Sequence, residues 1–345
     1  MVCLLTGVAL DTFGPQPYTG LPLLAAAPLV AGATLPRRST AAVAVAACAA
    51  TASVDVLHAR GAVALSVDLA LVGLIGMMAL AVNRIIARRV RELAEAVQLA
   101  VLPEPPRRIG PLAVAAGYTA AQAETRIGGD LYAVQETPHG IRMVIGDVRG
   151  KGLQAIAAVS VAIGAFRQEA QYAPSLGELA RRLDDALARE AARTDRGTSE
   201  QFTTALLVEL SHDGETLTLL NRGHPAPYLV HDGGWARLDA TSPRLPLGMG
   251  LGAPQDAGEA APVDTATLPH GASLMLITDG VTEARNRHGV FYDPIRSRLR
   301  GRRFTDPQEL VDALTADVSH WTGDGHQDDM AILVVTRRHP DGSQD

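Results

Sequence analysis

Charge is distributed so unevenly along this chain that it cannot fold as one uniform globule. Residues 12–36 contain no charged side chain, and residues 39–83 carry only Asp55, Arg60 and Asp68, whereas charges are frequent from Arg84 onward. A spanning helix needs about 20 mostly apolar residues, and three alanine-rich windows approach that, at 18–36, 39–58 and 62–83. The first quarter, residues 1–83, therefore reads as a membrane region with about three transmembrane helices, and the remainder as soluble protein. Arg37 and Arg38 separate the first two windows, and Arg84, Arg88, Arg89 and Arg91 follow the third. Basic clusters stay on the cytoplasmic side, so the turn from Asp55 to Arg60 is expected outside and everything after Asn83 in the cytosol. The expected location is the cytoplasmic membrane, multi-pass, with the lipid bilayer as one partner.

The opening residues, Met1 to Leu10, resemble the second half of an outward-running span. They are too short to cross and lack the basic start of a signal peptide; a start placed too far downstream or a short interfacial segment both account for them. Asp68 is either a functional intramembrane carboxylate or an ordinary residue near the outer interface, where the cost of charge falls. Both cysteines, Cys3 and Cys48, lie in the apolar region, so neither a disulfide framework nor a thiolate metal site is expected.

Residues 84–109 read as a juxtamembrane helix and linker. Ile86, Val90, Leu93, Val97 and Ala100 recur at heptad spacing for about two repeats, which suits either a homodimer through residues 84–102 or a plain amphipathic helix. Pro103, Pro105, Pro106 and Pro111 then end the helical pattern. The soluble domain runs over residues 110–337, followed by a polar tail, 338–345, expected to be disordered. Strand chemistry is predicted at 112–118, 131–136, 141–146, 202–210, 216–221, 226–230, 272–278 and 330–336, and helices at 152–171, 175–192 and 307–319. Antiparallel strands flanked by helices make an α+β layered domain. A net charge of −6 argues against a nucleic-acid-binding surface, which would show a basic stripe.

Four aspartates stand where the predicted strands begin or end: Asp130, Asp147, Asp279 and Asp328. Asp130 immediately precedes the strand 131–136 and Asp147 immediately follows its hairpin partner 141–146, so both belong at the open end of one hairpin. A strand running into Asp279 and a strand starting just after Asp328 bring those two to the same edge if they pair antiparallel. Taken singly, Asp279-Gly280 is an ordinary turn signal, Gly128-Gly129 a bulge and Asp328-Asp329 a solvated strand start. Jointly they describe converging carboxylates, which repel and raise one another's pKa unless cations intervene. Two divalent metals bridged by one aspartate resolve that conflict and suit in-line displacement at phosphorus. Residues 146–152 do not make a phosphate-binding P-loop, because the glycine spacing is one residue short and Gly152 follows Lys151.

These residues lie in motifs that carry a family resemblance. Gly-Gly-Asp at 128–130, Gly-Asp-Val-Arg-Gly-Lys-Gly at 146–152, Asn-Arg-Gly-His-Pro at 221–225, Pro-Leu-Gly at 246–248, Thr-Asp-Gly-Val-Thr-Glu-Ala-Arg-Asn at 278–286 and Asp-Asp-Met at 328–330 are similar to those of PPM-type (protein phosphatase 2C-like) serine/threonine phosphatases. The match is best to the bacterial branch typified by the stage II sporulation protein E phosphatase. The resemblance implies an antiparallel β-sandwich with helices outside and two Mn²⁺ or Mg²⁺ ions. It implies that Asp147 bridges them, Asp279 and Asp328 complete one site, and the Val148 carbonyl and Asp130 serve the other. It further implies hydrolysis of phosphoserine or phosphothreonine without a phosphoenzyme, on a phosphorylated regulatory protein of the anti-sigma-factor-antagonist type. The competing expectation is a catalytically silent sensor that binds the phosphorylated partner; the retention of all four aspartates argues against it.

Position 149 departs from the pattern, with Arg where this branch usually has Ser and eukaryotic relatives have His. Arginine cannot give up a proton at neutral pH, leaving water as the proton donor and Arg149 as either a substrate contact or a solvated turn residue. Lys151, the only lysine in the chain, and Arg126 are candidates for meeting substrate phosphate, with plain surface roles as their alternatives. His224 reads as a structural hydrogen-bonding residue, Trp235 and Trp321 as packing residues, and Asp329 as a surface acid or one lying behind the ligands.

Overall fold

The computed structural model describes residues 2–13, 19–102, 104–120, 128–150, 153–194, 202–242, 244–249, 262–323 and 328–339, without the side chains of residues 2, 87, 90–101, 153 and 194. The chain divides into two compact units, Met1–Leu93 and Ala94–Asp345.

The first unit is helical: α1 (Val2–Phe13), α2 (Leu21–Thr34), α3 (Arg37–Leu57) and the start of α4 (Ala62–Val101). Two of these segments, Arg37–Leu57 and Ala62–Ile86, are long and apolar enough to cross a membrane. The α2 helix, within the first apolar window, has 14 residues with Pro28 inside it; at 1.5 Å per residue it is about 21 Å long. Arg60 gathers three acids of this unit, pairing with Asp55 at 2.9 Å, Asp11 at 3.4 Å and Asp68 at 3.6 Å. Asp68 is thus one of three carboxylates around a single guanidinium. The α4 helix continues unbroken through the heptad segment, whose side chains from Val90 onward lie outside the described residues, as does the tail from 340.

Among its described residues the second unit holds eleven strands in two antiparallel sheets. These are β1 (Arg108–Ile109), β2 (Leu112–Thr119), β3 (Asp130–Thr137), β4 (Gly140–Val148), β5 (Thr203–Leu210), β6 (Thr216–Arg222), β7 (Tyr228–His231), β8 (Gly234–Arg237), β9 (Asp264–Thr267), β10 (Ser273–Ile277) and β11 (Met330–Arg337). One sheet has the order β1-β2-β11-β10-β7-β8 and the other β3-β4-β5-β6-β9. Helices α5 (Leu153–Tyr172) and α6 (Leu176–Thr194) cover the second sheet and α8 (Pro307–Thr322) the first, while α7 (Asp279–Thr282) is a single turn. The expected sandwich of antiparallel sheets between helices is the observed one.

The central strands read as continuous apolar runs because both their faces are covered. The pleat sends alternate residues to opposite faces. Leu274 and Leu276 of β10, with Ala331, Leu333 and Val335 of β11, join the main core, whereas Met275 and Ile277, with Ile332 and Val334, pack in a separate layer with Leu310, Leu314 and Val318 of α8. Strands β1, β8 and β9 and the single turn α7 exceed the sequence reading. The β7–β8 hairpin turns through Asp232 and Gly233, both at positive φ, the geometry a tight hairpin turn demands. The β9 strand is short, polar and half exposed, so it carries little apolar signal.

Arg142 is the largest side chain fully buried in the domain. It stands directly opposite Glu209, donates to it through Nε at 2.7 Å, and through Nη1 donates to the carbonyls of Ala170 and Ala173 at 2.9 and 2.6 Å. It therefore fastens the C-terminal end of α5 to the strand that carries Asp147. Removing one partner of a buried ion pair costs about 3–5 kcal/mol, so Arg142→Met is expected to lower unfolding free energy by about that much. Urea denaturation of wild type and variant checks this; a change within error would show that the pair does not hold the helix.

Candidate metal centre

The site starts from the β3–β4 hairpin, whose register pairs Asp130 directly with Asp147. Side chains so placed have Cβ atoms roughly 4.5–5.5 Å apart, and like charges there destabilise the pair. The glycines before Asp130 make the approach possible. A side chain at Gly129 would run into the Val148 carbonyl and the Asp147 Oδ1, and one at Gly128 would meet Asp329 Oδ2 and Tyr118 Oη. The Gly129 carbonyl accepts the Val148 N–H at 3.0 Å, closing the open end of the hairpin.

The other sheet delivers the remaining acids. Strands β10 and β11 pair antiparallel with Ile277 opposite Ile332, so the residues after β10 and before β11 share one edge. Asp279 begins α7, and its neighbour Gly280 lies against the Asp329 carbonyl, leaving no room for a Cβ. Asp130, Asp147 and Asp279 each offer a carboxylate oxygen, and these oxygens all lie within 4.8 Å of one another. Asp328 is exposed beside them, near enough that its charge acts on both Asp147 and Asp279. Asp329 is buried and accepts a hydrogen bond from Tyr118 Oη at 3.1 Å, so it is not a surface acid. Thr278 bridges the sheets, its hydroxyl donating to Asp130 Oδ2 at 2.8 Å. Neither Tyr118 nor Thr278 stood out in the sequence, since a hydroxyl before an Asp-Gly pair has no pattern of its own.

Burial is the first cause of the site's electrostatics, and mutual repulsion the second. Asp130 is held well above the usual carboxylate range by burial, then by the charges of Asp147, Asp329 and Asp279, with the Thr278 hydrogen bond acting the other way. Asp147 is pushed up to about 7 by burial and by Asp279, Asp328 and Asp329. Asp279 is pushed up to about 6 by burial, Asp328 and Glu283. Oxygen-only donors crowded in this way fit hard divalent cations such as Mg²⁺ or Mn²⁺. The clustering and the raised pKa values are what a cation would relieve.

The other candidate residues fall into two groups. Arg149 is exposed, with its guanidinium 5.0 Å from the centroid of the Phe202 ring and its backbone N–H donating to the Phe202 carbonyl. Arg126 and Lys151 lie outside the described residues. His224 is buried, and burial pushes its pKa down to about 3, so the ring is neutral. Its Nδ1 lies 3.0 Å from Thr204 Oγ1, and Thr204 is the cross-strand neighbour of Asp147. Asn221 clamps the His224 backbone, donating to its carbonyl and accepting from its N–H, both at 2.8 Å. Arg222 of the same motif donates to the Leu245 carbonyl and pairs with Asp184, and Asp184 also accepts the Gly248 N–H at 2.6 Å. The motifs at 221–225 and 246–248 are thus framework rather than ligands.

An acid whose folded pKa is raised holds more protons folded than unfolded, so stability falls as pH rises. In metal-free protein the loss should start above the ordinary carboxylate value of about 4 and continue through the folded values of about 6 for Asp279 and about 7 for Asp147. Chelated protein is expected to melt at a higher temperature at pH 5 than at pH 7.5. Saturating Mn²⁺ should reverse that order, and Asp147→Asn should flatten the chelated profile. A pH-independent melting temperature without metal would contradict the crowding.

The stage II sporulation protein E (SpoIIE) family matches residues 137–338, more than half of the chain. Among solved structures, the PP2C domain of SiaA from Pseudomonas aeruginosa aligns with a TM-score of 0.55 at 18% identity, over 74% of this chain and 98% of that one. The PP2C phosphatase domain of the cell fate determinant SpoIIE from Bacillus subtilis, with a fragment of its regulatory domain, aligns with a TM-score of 0.52 at 20% identity. That alignment covers 68% of this chain and 64% of the other, so this chain spans less than two thirds of that structure's length. Both likenesses show the fold. The chain belongs to the stage II sporulation protein E family, and its second unit has the PP2C phosphatase fold.

Proposed function

We propose that this protein is a membrane-anchored, metal-dependent protein serine/threonine phosphatase. The observation that carries the reading is the meeting of Asp130, Asp147 and Asp279, drawn from both sheets of a PP2C fold, with their oxygens within 4.8 Å. In this reading Asp147 bridges two Mn²⁺ or Mg²⁺ ions, Asp279 and Asp328 complete one site, and Asp130 and the Val148 carbonyl serve the other. Such cations, when bound, lower the pKa of water and neutralise charge on a transferring phosphoryl group. The protein's own part is to hold its acids close, dehydrated and oriented before substrate arrives.

Arg149 is proposed to bind the substrate phosphate. It follows Asp147 by two residues, is held over Phe202, and its planar fork matches phosphate oxygens. Arginine stays charged at neutral pH, so the proton for the leaving serine or threonine oxygen comes from water. The substrate is proposed to be a phosphorylated regulatory protein of the anti-sigma-factor-antagonist type, on the strength of the family resemblance. Anchoring through α3 and the first part of α4 rests on their length and apolar composition and on the arginines at 37–38 and 84–91. These would keep the phosphatase domain, about 110–337, in the cytosol, with residues 84–102 joining two copies and passing a signal to it.

The direct test is Mn²⁺-dependent hydrolysis of a phosphoserine protein by residues 103–345, with Asp147→Asn as control. Wild type should turn over and the control fall to background; equal rates would sink the two-metal assignment. Arg149→Ala should raise KM for the phosphoprotein about tenfold or more, the loss of a charge-assisted hydrogen bond, with Mn²⁺ affinity unchanged. An unchanged KM would remove Arg149 from the substrate site. If deleting residues 1–102 alters neither activity nor oligomeric state, the proposed signalling role of the first unit fails.

A further inference from the structure

Thr278 follows β10 in one sheet, yet its hydroxyl reaches Asp130, the first residue of β3 in the other. It is fully buried, and its hydroxyl oxygen has three neighbours. The Ala331 N–H donates to it at 2.9 Å, Asp130 Oδ2 lies at 2.8 Å, and the Ala331 carbonyl at 3.4 Å. A threonine hydroxyl has one proton to give. The Ala331 N–H can only donate, so that proton goes to the nearer and charged acceptor, Asp130. The β-branched side chain holds χ1 stiffly, and the Thr278 N–H is itself tied to the Ala331 carbonyl at 3.1 Å. The hydroxyl is therefore aimed before any ligand arrives.

Asp130 needs such an anchor. It is 1% exposed, faces Asp147 across the hairpin, and feels the charges of Asp329 and Asp279. Repulsion from three sides favours turning the carboxylate away, which costs the site an oxygen. The Thr278 hydroxyl is a side-chain donor that opposes that turn. We infer that Thr278 is a positioning residue for the metal centre: it commits Asp130 Oδ2 to the protein, presents Oδ1 to the cation, and ties the spacing of the two sheets to the geometry of the ligands. The inference deepens the proposed function and rests on its metal site, but not on phosphate hydrolysis.

The test uses the full chain in detergent micelles, titrated with Mn²⁺ alone and followed by calorimetry and by Mn²⁺ spin resonance. Thr278→Val keeps the shape and removes the hydroxyl; it should weaken Mn²⁺ binding by about 10- to 100-fold, the usual effect of losing a partner behind a metal ligand. Thr278→Ser, which restores the hydroxyl, should bind close to wild type. The double variant Thr278→Val with Asp130→Asn should bind no more weakly than Asp130→Asn alone, because the hydroxyl acts through that carboxylate. Should Thr278→Val not fold, Thr278→Ala takes its place in the same cycle. Wild-type affinity in the hydroxyl-free variant, or losses that add in the double variant, would overturn the inference. Hydrolysis of a phosphoserine protein is measured on the same samples. If wild type shows the predicted Mn²⁺ pattern but no turnover, the phosphatase reading fails while the role of Thr278 stands; if wild type binds no Mn²⁺, both fail.

Discussion

A hairpin register that sets the buried Asp130 opposite the partly buried Asp147 is the constraint around which this domain is arranged. Repulsion between directly opposed like charges on a sheet amounts to about 0.2–1 kcal/mol in an exposed setting, which a domain tolerates easily. Burial changes the scale, and it is the first cause of the raised pKa at Asp130, Asp147 and Asp279 alike. Without metal, the folded state carries a local conflict that the rest of the sandwich must outweigh. Conflicts of that kind, kept in an otherwise consistent fold, mark functional sites.

The remainder of the structure supplies both stability and precision. Central strands buried on both faces form two apolar clusters, one that joins strands of both sheets with α5 and α6 and one under α8. The glycines at 128, 129 and 280 are needed for space rather than flexibility, since a Cβ at any of them would collide with an acid or its backbone. The segment 221–225 contributes no ligand. Asn221 fixes the backbone of His224, His224 meets the cross-strand neighbour of Asp147, and Arg222 ties β6 to the loop at 245–248 and to α6. A motif can therefore stay close to the acidic cluster in space and make contacts that hold strands in place.

What the amino-acid order revealed and what it concealed divide along physical lines. The hairpin was legible because two apolar runs joined by Thr137-Pro138-His139-Gly140 fix their own register, and with it the meeting of Asp130 and Asp147. The meeting of β10 with β11 was legible only as a condition, antiparallel pairing, which the structure meets and which brings Asp279 to the same edge. Strand β9 was not legible, because Asp-Thr-Ala-Thr is a polar edge segment held by pairing with β6 and not by burial. Strand β8 left a trace in Asp232-Gly233 that the apolar pattern alone overlooked. The contacts of Asp329 and Thr278 were hidden for a different reason. Their partners, Tyr118 and Asp130, lie 211 and 148 residues away along the chain, and those contacts exist only once strands distant in sequence have packed.

That last distinction bears on how the site works as a physical object. A metal centre built on one loop can be assembled locally and is insensitive to the packing elsewhere. Here Asp130 and Asp147 belong to one sheet, Asp279 follows a strand of the other, and the hydrogen bond from Thr278 to Asp130 spans the junction. Carboxylate spacing is then a direct function of sheet-to-sheet spacing, and interiors packed to crystal-like density transmit small displacements instead of absorbing them. Arg142 adds a third body, since the strand that ends at Asp147 and Val148 also grips the far end of α5. Any influence that shifts α5 or one sheet against the other acts on the distances between the acids, and a cation bound by them would act back on the packing with equal free energy.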